Sequence, residues 1–104
     1  MFLNHAADKL VFNFLNKISH GYLELTTFDR KVLKFGNPNE NLHANILIKK
    51  KDFNYNLIRG GSIGFAESYM RGEFETDNLS NLIELTARNI EVMYKFSGLL
   101  DFPI

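Results

Sequence analysis

The residues with the greatest capacity for chemistry lie in a glycine-rich stretch at residues 60–74. Glu67 could serve as a general base, but Arg71 follows four residues later, and this spacing favours an ion pair across one helical turn. Tyr69 is more typical of a packed aromatic ring whose hydroxyl finds a partner than of a reactive phenol. We therefore assign no catalytic residue, and the stretch indicates packing or binding.

Metal, nucleophile and phosphate sites are not indicated either. The three histidines, His5, His20 and His43, show no ligand-like spacing, and the chain has no cysteine. Ser62 has no neighbouring histidine and no nucleophile elbow around it. Residues 60–64 could hold a phosphate at a helix N-terminus, but they match neither the dinucleotide-binding spacing nor the P-loop lysine. We expect no metal and no cofactor in this segment.

Composition limits the class of protein. The 104 residues suit one domain, residues 1–104, with a single core, and 45% of them are hydrophobic. Twelve basic residues balance twelve acidic ones, which removes the electrostatic argument for nucleic acid. Because the sequence shows no long apolar run and no signal-peptide pattern, we expect no transmembrane segment and a cytoplasmic location, with peripheral contact at the inner membrane as an alternative.

The elements that must position these residues are short. Residues 8–18 predict an amphipathic helix packed on the core, and a membrane-surface helix is less favoured because only Lys9 and Lys17 supply positive charge. Four further segments follow strand and helix patterns: 22–28, 32–35 and 42–49 as strands, the first two as a hairpin, and 52–59 as a helix.

A glycine-bounded helix follows. Gly60 and Gly61 can end the preceding helix, Ser62 is a suitable N-cap, and Gly72 can adopt the left-handed conformation that ends a helix. This helix is short and must pack on another element. Its apolar residues form an aromatic-rich face: Ile63, Phe65, Ala66, Tyr69 and Met70.

A last helix is expected to start after a cap at Thr76 or Asp77 and to extend to about Lys95 or beyond. The helix carries two apolar rows, and together they are wider than the apolar stripe of a helix that packs on one side only. We therefore expect another element to pack over the second row: a second copy of the chain, the first helix or a following domain. The main row comprises Leu79, Leu82, Ile83, Ala87, Ile90, Met93 and Tyr94, and the second row comprises Leu85, Val92, Phe96 and Leu99.

A family resemblance rests on the run SIGFAESYMRGEF at residues 62–74, followed by Asn78, Leu79 and Leu82. It resembles the N-terminal region of cyclopropane-fatty-acyl-phospholipid synthases, where a G-x-[LI]-G-[FL]-[GA]-E-x-Y-x-x-G-E-[WF] run precedes a helix. Residues 21–25 and 35–36 are similar to that family's first strand pair, although residues 28–30 depart from its Pro-Asp-Gly turn. Five positions are expected to form the structural motif: Gly61, Gly64, Glu67, Gly72 and Asp77.

The resemblance implies a role in lipid chemistry. The complete family enzyme transfers a methyl group from S-adenosylmethionine to the double bond of an unsaturated phospholipid acyl chain. The cofactor lies on a separate C-terminal methyltransferase domain, whose Gly-rich turn has no counterpart in these residues. The resemblance therefore implies a non-catalytic N-terminal domain that presents lipid or assembles the enzyme. Its expected partners are a phospholipid or acyl chain, the methyltransferase domain and a second copy of the chain.

The order of elements also resembles a sterol-carrier-type lipid-binding fold. That likeness implies an α+β domain with a small antiparallel sheet of three to four strands, packed against helices over an apolar crevice. Phe65, Tyr69 and Met70 are the expected lipid-binding residues, with plain core packing as the alternative for each. A stand-alone lipid-binding module and an oligomerisation domain are the alternatives to an accessory domain.

Overall fold

The computed structural model describes the backbone of residues 2–93 and the side chains of residues 6–61 and 63–93. These residues fold into a four-stranded sheet covered by helices. In order, the elements are α1 (Phe2–Leu15), β1 (Tyr22–Thr26), β2 (Val32–Gly36), β3 (His43–Ile48), α2 (Phe53–Met70), β4 (Phe74–Glu75) and α3 (Leu79–Arg88). The strand order is β2-β1-β3-β4. The predicted α+β class, with a small sheet packed against helices, is confirmed.

The sheet is mixed, so the prediction of antiparallel strands is wrong for its central pair. Strand β1 pairs antiparallel with β2, and β3 pairs antiparallel with β4. Strands β1 and β3 run parallel, with Leu23 beside Ala44 and Leu25 beside Ile46. The cause is the short connection 37–42, which carries the chain from the end of β2 past the start of β1. The finer likeness to a sterol-carrier-type fold stays a prediction.

Two glycines make this crossing possible. Gly36 and Gly21 have φ angles of +87° and +84°, a region that glycine enters cheaply. A Cβ at Gly36 would lie 2.2 Å from the backbone oxygen of Gly21, and a Cβ at Gly21 would lie 2.5 Å from Leu85 Cδ1. The crossing segment is fixed by hydrogen bonds from Asn37 N to Gly21 O and from Gly21 N to Glu40 Oε1.

The hydrophobic core lies between the sheet and the helices. Successive strand residues point to opposite faces, and β1 directs Leu23 and Leu25 inward. The ring of Phe12 on α1 lies 6.4 Å from that of Phe35 on β2, so the apolar side of α1 packs on this core. The buried core residues are Ile18, Leu23, Leu25, Phe35, Ala44, Ile46, Ile48, Phe53, Phe74, Leu82 and Leu85.

Helix α2 consists of two segments that meet at Gly61, as the glycine pattern predicted. Gly61 has φ 60° and ψ −141°, a conformation open only to glycine at low cost. Gly60 stays helical, so the break uses one glycine where two were expected. The side chain of Ser62, the expected N-cap, lies outside the described residues.

The second segment of α2 turns small residues towards the interior. Gly64 is buried, whereas Ile63 and Met70 are 71% and 75% exposed. A Cβ at Gly64 would lie 3.1 Å from the backbone oxygen of Asn56, so a side chain there would require the first segment to move slightly away. The prediction that Ile63 and Met70 belong to the packing face is therefore wrong, and Phe65 is the residue of that set that packs against the core.

Helix α3 begins later than predicted. Asn78 is the N-cap, and its side chain accepts a hydrogen bond from Asn81 N at 3.0 Å. Thr76 and Asp77, the expected caps, instead hydrogen-bond to the side-chain amide of Asn45 on β3. The cap prediction is wrong because those two residues anchor the chain to the sheet before the helix starts.

The second apolar row of this helix lies partly in the core. Leu85 is buried beside Leu82, so the fold of this chain already covers this member of the row. The large apolar side chains that α3 and residues 90–93 expose are Ile83 and Ile90. The other members of that row include two outside the described residues, Phe96 and Leu99.

Asn89 ends α3 where the predicted helix continued to Lys95, and residues 90–93 then resume a helical turn. Its buried Oδ1 accepts hydrogen bonds from the backbone N–H groups of Ser19 and His20 at 2.9 and 3.1 Å. Its Nδ2 donates to His20 O and Leu85 O, both at 2.8 Å. One amide thus joins the end of α3 to the connection between α1 and β1.

We expect Asn89→Ala to lower the free energy of unfolding by about 2 kcal/mol, because partly buried backbone N–H groups lose their acceptor. Urea titration followed by circular dichroism measures this change. Asn13→Ala, at an exposed position of α1, is the control and should shift stability by less than about 0.5 kcal/mol. Equal losses for the two variants would contradict the role of the Asn89 amide.

Neighbouring glycines in α2 should respond oppositely to alanine. Gly60→Ala should raise the free energy of unfolding by about 0.5 kcal/mol, because the site is helical and nothing lies within 4 Å of the added Cβ. Gly61→Ala should lower it by about 2 kcal/mol, since its positive φ is strained for alanine. Thermal unfolding of the pair tests the position of the break; a shift of the same sign in both would refute it.

Candidate ligand-binding cavity

An apolar cavity of about 240 Å³ lies between the sheet and the helices and is partly open to the surface. Strands β1 and β3 contribute Leu25 and Ile46, α1 contributes Val11, and the two segments of α2 contribute Leu57 and Phe65. Among the described residues, α3 and the turn after Asn89 complete the wall with Leu82, Leu85, Thr86, Ile90, Val92 and Met93. Every layer of the fold therefore borders this space.

An aromatic cluster holds Phe65 at the cavity wall. Phe74, on the two-residue strand β4, stacks on the Phe65 ring with centroids 4.9 Å apart. The rings of Phe53 and Tyr69 lie 5.2 and 5.6 Å from Phe74 in tilted arrangements. Aromatic pairs at such separations stabilise each other beyond the area that they bury. The Phe65 ring in the cavity wall is therefore held in place by the Phe74 ring that stacks on it.

The structure brings one of the three expected lipid-binding residues to the cavity. Phe65 lines it, whereas Tyr69 is 41% exposed and Met70 projects into solvent, and neither belongs to the wall. Phe65 and Met70 are five residues apart, which separates their side chains by about 140° around a helix axis. Val11 and Leu57, which belong to the helices predicted at residues 8–18 and 52–59, line the cavity instead.

Two polar residues in the wall were not found from the sequence. Thr86 donates its hydroxyl proton to Ile83 O at 2.7 Å. Asn54 is 4% exposed, and its Nδ2 donates to Asp8 Oδ1 at 2.8 Å. Its Oδ1 has no hydrogen-bond donor among the described residues. The sequence feature that could have indicated Asn54 is its position next to Phe53 in the first turn of α2, on the side that faces the core, where an apolar residue is usual.

The glycine that ends α2 forms a Schellman motif. Gly72, with φ 73°, donates its N–H to Tyr69 O at 3.0 Å, and Glu73 N–H donates to Ser68 O at 2.9 Å. The Ser68 hydroxyl also donates to Glu73 Oε1, and Arg71 Nε donates to Glu73 Oε2, both at 2.8 Å. The bond from Arg71 is the main reason that the pKa of Glu73 lies below its ordinary value.

Glu67 forms the predicted ion pair, but weakly. Its Oε1 lies 3.8 Å from Arg71 Nη1, and both side chains are about half exposed. Exposed pairs of this kind contribute little to stability. Glu67 does not line the cavity, and its partner is engaged more closely by Glu73. Glu67 is thus a surface group beside the helix end.

A second, polar concavity of about 340 Å³ lies on the other face of the sheet. The Tyr22 hydroxyl donates to Glu24 Oε2 at 3.1 Å, and burial together with that carboxylate raises the pKa of Tyr22. A phenol so placed stays protonated at neutral pH. His43 Nε2 lies 3.0 Å from Pro38 O. Within the described ranges, no three His, Asp or Glu side chains are grouped so as to hold a metal ion.

The depressed pKa of Glu73 predicts an acid-sensitive contact. A group whose pKa is lower in the folded state stabilises the fold above its unfolded pKa, and that contribution is lost as the pH falls through the folded pKa. Glu73→Gln should lower the free energy of unfolding by about 1.5 kcal/mol at pH 7 and by less at pH 3. Denaturant titration at both pH values measures it, with Glu67→Gln as the exposed control. A loss for Glu73→Gln that does not shrink at pH 3 would refute the effect.

Comparison with known proteins identifies no relative of this chain. No protein-family model, no curated protein and no solved structure matches the chain. Between residues 2 and 93, no helix combines the length and apolar character needed to cross a bilayer. The likeness to cyclopropane-fatty-acyl-phospholipid synthases therefore rests on the residues of the block 62–74 and their neighbours, two of which, Gly61 and Phe65, line the cavity.

Proposed function

We propose that this chain is a non-catalytic lipid-binding domain that holds an acyl chain or a similar apolar group in the cavity between sheet and helices. The observation that carries the proposal is the apolar space of about 240 Å³. Protein interiors are close-packed and leave few voids larger than a water molecule. Apolar cavities of about 150 Å³ stay dry and take up small hydrocarbons. A larger apolar space with a partial opening therefore suits a hydrocarbon ligand.

The energetics favour a chain-like ligand. Each methylene group that leaves water for an apolar environment contributes about 0.8 kcal/mol. Two further methylenes inside the cavity thus tighten binding by about tenfold, until the space is filled. The wall consists mainly of Leu, Ile, Val and Phe side chains, which offer no competing polar contacts along its length. Affinity is accordingly set by the buried length of the ligand.

The block resemblance suggests where such a domain would act. In a cyclopropane-synthase-like methyltransferase, it would sit at the inner face of the cytoplasmic membrane and present a phospholipid acyl chain to a C-terminal, S-adenosylmethionine-dependent domain. The motif supports this role because it supplies the break at Gly61 and the wall residue Phe65. The alternative role as an oligomerisation domain loses one of its supporting residues, since Leu85 is buried in the core.

Calorimetric titration with methyl hexanoate, methyl octanoate and methyl decanoate tests the proposal. Affinity should rise about tenfold for each two-carbon step. Leu57→Trp, which fills part of the cavity, should weaken methyl decanoate binding at least about tenfold, with retention of the fold checked by circular dichroism. Ile83→Trp, at an exposed position outside the wall, is the matched control and should bind normally. If no ester binds, or if the two variants bind methyl decanoate equally well, the proposal is refuted.

A further inference from the structure

We infer that the ligand of the cavity is an amphiphile with an anionic head group, a carboxylate or a phosphate, which lies at the mouth of the cavity beside the ammonium group of Lys17. The hydrocarbon chain enters the apolar space, and the charged end stays in contact with water. This inference rests on the proposed lipid-binding function and adds the charge of the ligand's polar end and the residue that recognises it.

The exposure of the wall residues shows where the cavity opens. Ile90 is the most exposed residue of the wall, at 45%, and it lies in the turn 90–93 after Asn89. The Asn89 side chain accepts a hydrogen bond from Ser19 N at 2.9 Å, so this turn lies against the end of α1. Phe14, in the last turn of α1, is a partly exposed wall residue on the same side. The mouth of the cavity therefore lies between the end of α1 and residues 90–93.

Lys17 places a positive charge at this mouth. It follows the last residue of α1 by two positions, and its side chain is exposed. Its backbone N–H donates to Phe14 O at 3.0 Å, and its ammonium nitrogen lies 5.2 Å from the centre of the Phe14 ring. A cation within about 6 Å of an aromatic face is attracted by the ring. Because the same ring belongs to the cavity wall, the ammonium group is held at the mouth and remains accessible to a head group.

The acidic side chains nearest to this mouth in the sequence do not neutralise Lys17. None of the ion pairs among the described side chains includes it. Glu84 is engaged by Arg88, whose Nη2 donates to it at 2.5 Å. Glu91 lies in the turn 90–93, whose other three residues all line the cavity, so helical geometry directs its side chain to the opposite side. The charge that a head group meets at the mouth is therefore positive.

This charge selects among ligands that share one hydrocarbon chain. An anionic head at the mouth keeps most of its hydration and accepts a charge-assisted hydrogen bond from the ammonium group. A cationic head is repelled, and a neutral ester gains no charge interaction. Because the ammonium group is exposed, the preference is modest, about fivefold between an anion and a cation, and salt reduces it.

Titration with sodium decanoate, decyl phosphate and decylammonium chloride at pH 7.5, each below its micelle-forming concentration, tests the inference. Both anions should bind at least about fivefold more tightly than decylammonium at low ionic strength, and the difference should shrink at about 1 M salt, where the Debye length is about 3 Å. The comparison of the two anions shows which head group fits better. Binding of decylammonium as tight as that of the anions would overturn the inference and leave the lipid-binding proposal intact. If neither these ligands nor methyl decanoate bind, the proposed function itself fails.

Variants assign the preference to Lys17. Lys17→Gln should make the affinities for decanoate and decylammonium about equal, and Lys17→Glu should reverse the preference about fivefold. Lys9→Gln and Lys9→Glu change the net charge equally at an exposed position of α1 outside the wall, so they are the matched controls and should keep the preference.

A lysine beyond the end of a helix also stabilises the last carbonyl groups of that helix, with or without a ligand. Thermal unfolding of the same variants separates this role from ligand recognition. If Lys17→Gln lowers the melting temperature but keeps the full preference for decanoate, Lys17 serves only the helix end, and the inference is overturned.

Discussion

The geometry around the cavity depends on the Asn89 amide. Its two ends bond to the connection before β1 and to the last turn of α3. That connection joins α1, which supplies Val11, to β1, and α3 supplies Leu82 and Leu85, so one side chain links two parts of the chain that border the cavity. A polar hub of this kind is strong because every donor and acceptor of the amide is used inside a buried site. The apolar wall thus owes its shape to a polar contact.

Local signals in the sequence predicted the elements well. The β1–β2 hairpin, the break between the two segments of α2 and the end of that helix at Gly72 follow from turn residues and glycines, and all are present. The parallel pairing of β1 and β3 could not be predicted, because alternation of apolar residues says nothing about strand direction. The packing face of the second α2 segment was missed because close approach selected Gly64 over larger apolar residues, and hydrophobicity alone does not report this.

The candidate site was predictable only in part. Phe65 could be found because it lies in a distinctive block, whereas Val11 and Leu57 were covered only by the helices predicted at residues 8–18 and 52–59. The cavity itself could not be predicted, since it is a gap between side chains of elements distant in sequence. Asn54 and Asn89 are polar residues at positions where their helices face inward, and each is explained only by a partner 46 or 69 to 70 residues away. Polar residues on apolar faces are therefore the informative exceptions in this chain.

The shortness of β4 has a consequence for association between molecules. Within residues 2–93 it pairs with Leu47 and Ile48, and no other described strand lies beside the first half of β3 on that edge. An uncovered strand edge is a template for aggregation with another chain. Here α3 packs against β3, and the Asn81 side chain donates to the backbone oxygen of His43. The same helix that walls the cavity therefore also covers this part of the β3 edge against the addition of a foreign strand.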